Sequence, residues 1–132
     1  MPVGWLFPQV KASQRAHSEG QVKINVRKTP KATILDLQGP LKMGEAVDTF
    51  RDQVEELLGG GTKNLAVNLA GVPEMDSSGI GILVRVFTTL KQSGGQCKVF
   101  GAPKRVMQAL KMVRLDTVLD LAANEEAALA GF

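Results

Sequence analysis

The chain is poor in the residues on which small proteins most often build chemistry. Its 132 residues hold one cysteine, Cys97, and one histidine, His17. A single thiol excludes an internal disulfide and a multi-cysteine metal site. Cys97, set among apolar neighbours, reads as a reduced core residue of a cytoplasmic protein rather than a reactive thiol. No apolar run approaches the roughly 20 residues of a membrane span. The first ten residues lack a basic start and carry Pro2 and Pro8, so no signal peptide is expected. No glycine-rich phosphate loop ending in Gly-Lys-Ser/Thr is present, which argues against a nucleotide-binding enzyme. No internal repeat is visible, and neither a cofactor nor a metal is expected.

What is there is an ordinary single-domain composition, 44% hydrophobic and 22% charged. The net charge of +3 is unevenly spread. Residues 1–31 carry Lys11, Arg15, Lys23, Arg27, Lys28 and Lys31 against Glu19 alone, and the remainder is slightly acidic. Basic arms meet nucleic acid or acidic protein faces. Only Trp5 and Phe7 interleave with these charges, so a solvated tail and strand edge is the favoured reading and no nucleic-acid partner is expected.

Residues 1–20 show no sustained period and contain two prolines and two glycines, so they read as an extension outside the fold. The domain is placed at 21–132. Val22, Ile24 and Val26 alternate with Lys23, Asn25 and Arg27, the pattern of a half-exposed strand. A turn at Pro30 leads into a second strand, Ala32 to Gln38, antiparallel to the first and ended by Gly39-Pro40. Glu45 to Leu58 is an amphipathic helix with Val47, Phe50, Val54, Leu57 and Leu58 on one stripe, stopped by Gly59 to Gly61. Leu65 to Ala70 is a buried strand. A helix runs from Ser77 to about Ser93, a strand from Gln96 to Phe100, and a helix opens at Pro103. Asp116 to Asp120 is expected as a short last strand, and Ala122 to Leu129 as a terminal helix with Asn124 as its N-cap. Strands alternating with helices mean an α/β sheet, largely parallel after the first hairpin.

The most informative stretch lies between the Leu65 strand and the next helix: Asp76-Ser77-Ser78-Gly79. Three uses are open to it. The serines and aspartate cap the helix; or Ser77 is a nucleophile; or Ser77 is a phosphorylation switch at a helix N-terminus, where unpaired N–H groups and the helix dipole receive a phosphate well. The nucleophile needs a base and an orienting group. His17 sits in the N-terminal extension and no G-x-S-x-G elbow exists. Gly79 and Gly81 each cost about 1 kcal/mol against alanine in a helix, which points to close approach of another backbone, from within the domain or from a partner. Ile80, Leu83, Val84, Phe87 and Leu90 form a core-facing set. Ile82 and Val86 lie beside it, next to Arg85 and Thr89, either as a partly exposed apolar strip for a partner or as part of a wide buried face.

These residues carry a family resemblance. The Leu35-Asp-Leu-Gln-Gly-Pro-Leu41 strand end, the Val67-Asn-Leu-Ala70 strand, Met75-Asp-Ser-Ser-Gly-Ile-Gly81, Gly95-Gln-Cys-Lys-Val99 and Leu110-Lys-Met-Val-Arg-Leu-Asp116 together resemble a STAS domain of the anti-sigma factor antagonist family, over residues 21 to 129. The resemblance implies a four- to five-stranded mixed sheet with about four helices and no enzymatic activity. It implies that Ser77 is phosphorylated by a partner-switching anti-sigma factor, a kinase of the histidine-kinase-like ATPase class. Phosphorylation would break capture of that factor, and a PP2C-type phosphatase would restore it. Lys42, Asp76, Ser78, Gly79, Ile82, Arg85 and Val86 are the expected partner-binding set, and self-association stands beside it. In the family an aspartate often follows the second strand where this chain has Gly39-Pro40-Leu41-Lys42, so Lys42 inverts the local charge. The other reading within the family is an unphosphorylated scaffold subunit of a stress-signalling or lipid-transport complex.

Overall fold

Period-2 stretches and period-3.6 stretches alternate along the described residues, 21–132 of the computed structural model, and they fold into a five-stranded sheet with helices on both faces. The strands are β1 (Lys23–Lys28), β2 (Thr33–Gln38), β3 (Asn64–Gly71), β4 (Gln96–Phe100) and β5 (Leu121–Ala122). They lie side by side in that order. β1 and β2 form the antiparallel hairpin, with Val26 opposite Leu35. The pairings of β2 with β3, β3 with β4 and β4 with β5 are parallel. The mixed sheet expected from the sequence is therefore the sheet observed. The expected extension, residues 1–20, lies outside the described residues.

The helices are α1 (Glu45–Gly59), α2 (Ser77–Gln92), α3 (Lys104–Met112) and α4 (Glu125–Ala130). Because side chains alternate across a strand, Leu35, Leu37, Leu65, Val67, Leu69, Cys97 and Val99 all face one side. There they meet Val47, Phe50 and Val54 of α1, Ile80, Leu83 and Val86 of α2, and Val106 and Leu110 of α3. The other face carries a smaller cluster of Ile34, Ala66 and Phe100 beneath Ala128 of α4. Burial pushes the Cys97 thiol up to about 12, so it stays protonated and inert at neutral pH. On the α4 face Arg27 reaches Asp36 at 2.6 Å and Glu125 at 2.7 Å, tying the edge strand to the last helix. That guanidinium holds the Asp36 carboxyl below its ordinary range.

The last strand is misplaced in the sequence reading. Asp116 to Asp120 is not extended: Leu115–Thr117 forms a 3-10 turn, and the strand that pairs with β4 is Leu121–Ala122. Ala122 is thus a strand residue and the terminal helix begins at Glu125. Asn124 is its N-cap as expected, accepting from the Ala127 N–H at 2.9 Å. Two residues are too few to show alternation, and the apolar pair Val118-Leu119 just before them carries the stronger strand signal.

Candidate functional site at the start of α2

Parallel β3 and β4 need a crossover, and the chain leaves β3 at Gly71 to enter α2 at Ser77. The intervening loop is pinned from the side by the β2–α1 connection. Leu41 and Met75 form a parallel bridge. The Leu41 N–H donates to the Glu74 carbonyl and the Asp76 N–H donates to the Leu41 carbonyl, each at 3.0 Å. Leu41 is fully buried, so two loops that leave the sheet 33 residues apart, after Gln38 and after Gly71, become one rigid ledge.

Asp76 completes the ledge. One carboxylate oxygen accepts from the Ser78 N–H at 2.9 Å and the Gly79 N–H at 3.3 Å, capping α2. The other accepts from the Met43 N–H at 2.8 Å. Hydrogen bonds to an ionised carboxylate favour its charged form. The Met43 N–H, with those of Gly79 and Ser78 and the charge of Lys42, holds Asp76 below its ordinary value of 3.8.

Asp76 therefore does the capping that the sequence allowed to any of the three polar residues. Ser77, the first residue of α2, is exposed. Among the described residues neither the Ser77 nor the Ser78 hydroxyl has a hydrogen-bond partner. Ser77, Gly81, Arg85 and Thr88 are the exposed line of α2, spaced as one helical face requires. The two glycines have separate reasons. A Cβ on Gly79 would lie 2.9 Å from Met75 Cγ and 3.0 Å from the Leu41 carbonyl oxygen, so close approach within the domain demands glycine there. A Cβ on Gly81 would meet nothing within 4 Å. Gly81 leaves a shallow seat on the solvent side between Ser77 and Arg85.

Of the two readings open to Ile82 and Val86, the wide buried face is the one observed and the partly exposed strip is not. Ile82 is 6% exposed and Val86 is 0% exposed, both within the main core. The half-buried side chains of α2 are instead Val84 and Phe87. The helix is buried over a wide arc because it lies on the sheet with α1 packed against its side, and a wide arc takes in positions that a single stripe leaves out.

Lys42 lies on the rim of the ledge, paired with Glu74 at 3.0 Å and close enough to Asp76 to lower its pKa. Arg85 pairs with Glu55 of α1 at 2.5 Å. Met43, 78% exposed, follows Lys42 in the short connection to α1. The sequence reading missed both Met43 and Glu74. A lone methionine in a polar loop was the available signal for Met43; Glu74 had none, since only the loop's path brings it to Lys42.

A family model described as a STAS domain matches residues 23–128. The chain belongs to the STAS domain family. The anti-sigma-B factor antagonist of Bacillus subtilis is 24% identical to this STAS domain over 105 residues, 80% of this chain and 94% of that protein. Among solved structures, an anti-sigma factor antagonist from Mycobacterium paratuberculosis aligns at TM-score 0.74 and 14% identity, covering 84% of this chain and 93% of that one. The Bacillus cell fate determinant SpoIIAA in its phosphorylated form aligns at TM-score 0.64 and 20% identity, covering 83% and 100%. No described helix of this STAS domain is long and apolar enough to cross a membrane.

Proposed function

We propose that this STAS domain is an anti-sigma factor antagonist: it captures an anti-sigma factor that is also a serine kinase, and phosphorylation of Ser77 ends the capture. The observation that carries the reading is the exposed, unengaged Ser77 hydroxyl on a helix N-terminus already capped by another residue. A kinase can reach it, and modifying it breaks no internal bond. The names of the relatives support the partner class, and the phosphorylated SpoIIAA structure supports the chemistry.

The contact surface in this reading is the exposed line through Ser77, Gly81 and Arg85, bordered by Lys42 and Met43. Asp76, Ser78 and Gly79 set its shape, and Ile82 and Val86 support it from beneath. A phosphate on Ser77 would leave the fold intact, because the exposed hydroxyl holds no internal bond and the helix dipole favours an anion at this end. In a closed interface the same dianion must be desolvated, and that opposes binding. A PP2C-type phosphatase would reset the switch.

The test is calorimetric titration of the unmodified and Ser77-phosphorylated chains against one anti-sigma factor kinase. Capture by the unmodified chain and its loss on phosphorylation are expected. Ser77→Ala should bind and resist phosphorylation. Equal affinity of both forms would sink the switch and leave the scaffold reading.

A further inference from the structure

The helix layer carries its charge asymmetrically. α1 packs against α2, and successive right-handed crossovers place α3 on the far side of α2. α1 and α3 are therefore opposite flanks of one layer. The outer surface of α1 bears Glu45, Asp48, Asp52, Glu55 and Glu56 against Arg51 alone. Along α3 and its C-terminal cap, Lys104, Arg105, Lys111 and Arg114 are all exposed, with no acidic residue before Asp116. Among the described residues none of those four cations has an ion-pair partner, and on α1 neither do Asp52 and Glu56.

Two further features mark the α3 flank. Met112 is 84% exposed and Val113 is 52% exposed, side by side among the cations. Arg114 is the sole non-glycine residue with positive φ among the described residues, at 62°. It occupies the position after the α3 cap where glycine is favoured. A side chain held there at a conformational cost points to a use for that side chain. On α1, Leu57 and Leu58 are half-buried next to Glu55 and Glu56, which offers an apolar seat beside the acidic surface.

From these observations we propose that the domain associates with a second copy of itself head to tail, the basic flank of α3 on one molecule against the acidic flank of α1 on the next. The unpaired cations of α3, set against the unpaired Asp52 and Glu56 in the acidic surface of α1, supply the complementarity and steer the encounter, while Met112 and Val113 give the contact an apolar centre. Because the two flanks lie on opposite sides of the molecule, the contact is heterologous and leaves a free flank at each end. The contact centres on Asp52 and Glu56 and leaves Ser77 uncovered, bordering the exposed line of α2 only where Glu55 pairs with Arg85, and it does not rest on the switch proposed above.

Sedimentation equilibrium of the full chain tests it. At about 20 mM salt the weight-average mass should rise with protein concentration beyond the dimer; at about 500 mM salt it should return to the monomer, since exposed charges are screened over a few ångströms there. Lys111→Glu with Arg114→Glu, and separately Asp52→Lys with Glu56→Lys, should each be monomeric in low salt. An equimolar mixture of these two variants should associate again in low salt, because each keeps one native flank and the two reversed flanks are complementary in charge to each other. Arg114→Gly, which relieves the left-handed strain, should melt at a higher temperature yet associate less than the parent. A chain that stays monomeric in low salt overturns the proposal, as does association that survives both charge reversals.

Discussion

The carboxylate of Asp76 holds the backbone N–H of Met43 at 2.8 Å while its other oxygen caps α2. One side chain thus fixes both the entry to the serine helix and the loop that borders it. Asp76→Ala should lower stability by about 0.5–2 kcal/mol, the usual cost of losing an N-cap. Chemical denaturation at neutral pH measures it.

The same carboxylate sets a pH dependence. Its folded pKa is depressed below 3.8, so its stabilisation is present above the unfolded value and is lost as pH falls through the folded one. Asp36, depressed chiefly by Arg27, acts in the same direction. Stability should therefore fall on acidification below about pH 4. Asp76→Asn, which keeps one acceptor oxygen and no charge, should flatten that acid limb. An unchanged limb would remove Asp76 from it.

The two glycines at the start of α2 should respond oppositely to alanine. At Gly79 the new methyl group meets Met75 and the Leu41 carbonyl, an overpacking that costs about 1–3 kcal/mol. At Gly81 it meets nothing, and removing a helical glycine should stabilise by up to about 1 kcal/mol. Melting temperatures of the two variants give the comparison, and Gly81→Ala should also weaken partner capture by filling the seat.

Ile82 and Arg85 separate core from contact surface. Ile82→Ala should cost about 2–5 kcal/mol of stability, as deletions in a closed core do. Arg85→Ala breaks only the exposed pair with Glu55 and should change stability by less than about 1 kcal/mol. Its effect should appear in binding. Lys42→Asp belongs with Arg85: a small stability change and an altered choice of partner. Unchanged affinity in both phosphorylation states would remove Lys42 from the surface.

Residues 21–132 contain the five described strands and the two described core clusters. A chain beginning at Glu19 is accordingly expected to melt within a few degrees of the full chain. A large drop would place Trp5 or Phe7 in the core.

The sheet was legible because β2, β3 and β4 are long enough to show their apolar runs and because Gly59 to Gly61 and Gly94-Gly95 punctuate the helices. The Leu121–Ala122 strand was not, since its pairing comes from β4 and not from its own pattern. At the site, the serines and Asp76 were readable from motif and position. Which polar residue caps the helix was not, because three suited the role and only Met43, 33 residues earlier, favours Asp76. Burial of Ile82 and Val86 was undecided for a similar reason: helical periodicity gives a stripe, and the neighbouring α1 decides how wide that stripe becomes.

The ledge divides its residues into two sets. Leu41, Met75 and Gly79 are buried and fix the backbone, whereas Lys42, Met43, Ser77, Gly81 and Arg85 are exposed and bear none of that burden. Substitution in the outer set alters the message the domain presents without endangering the platform that presents it. Copies of such a gene could therefore drift apart in the partners they address while keeping one architecture, and crosstalk between them would be governed by a handful of rim positions that stability selection does not constrain.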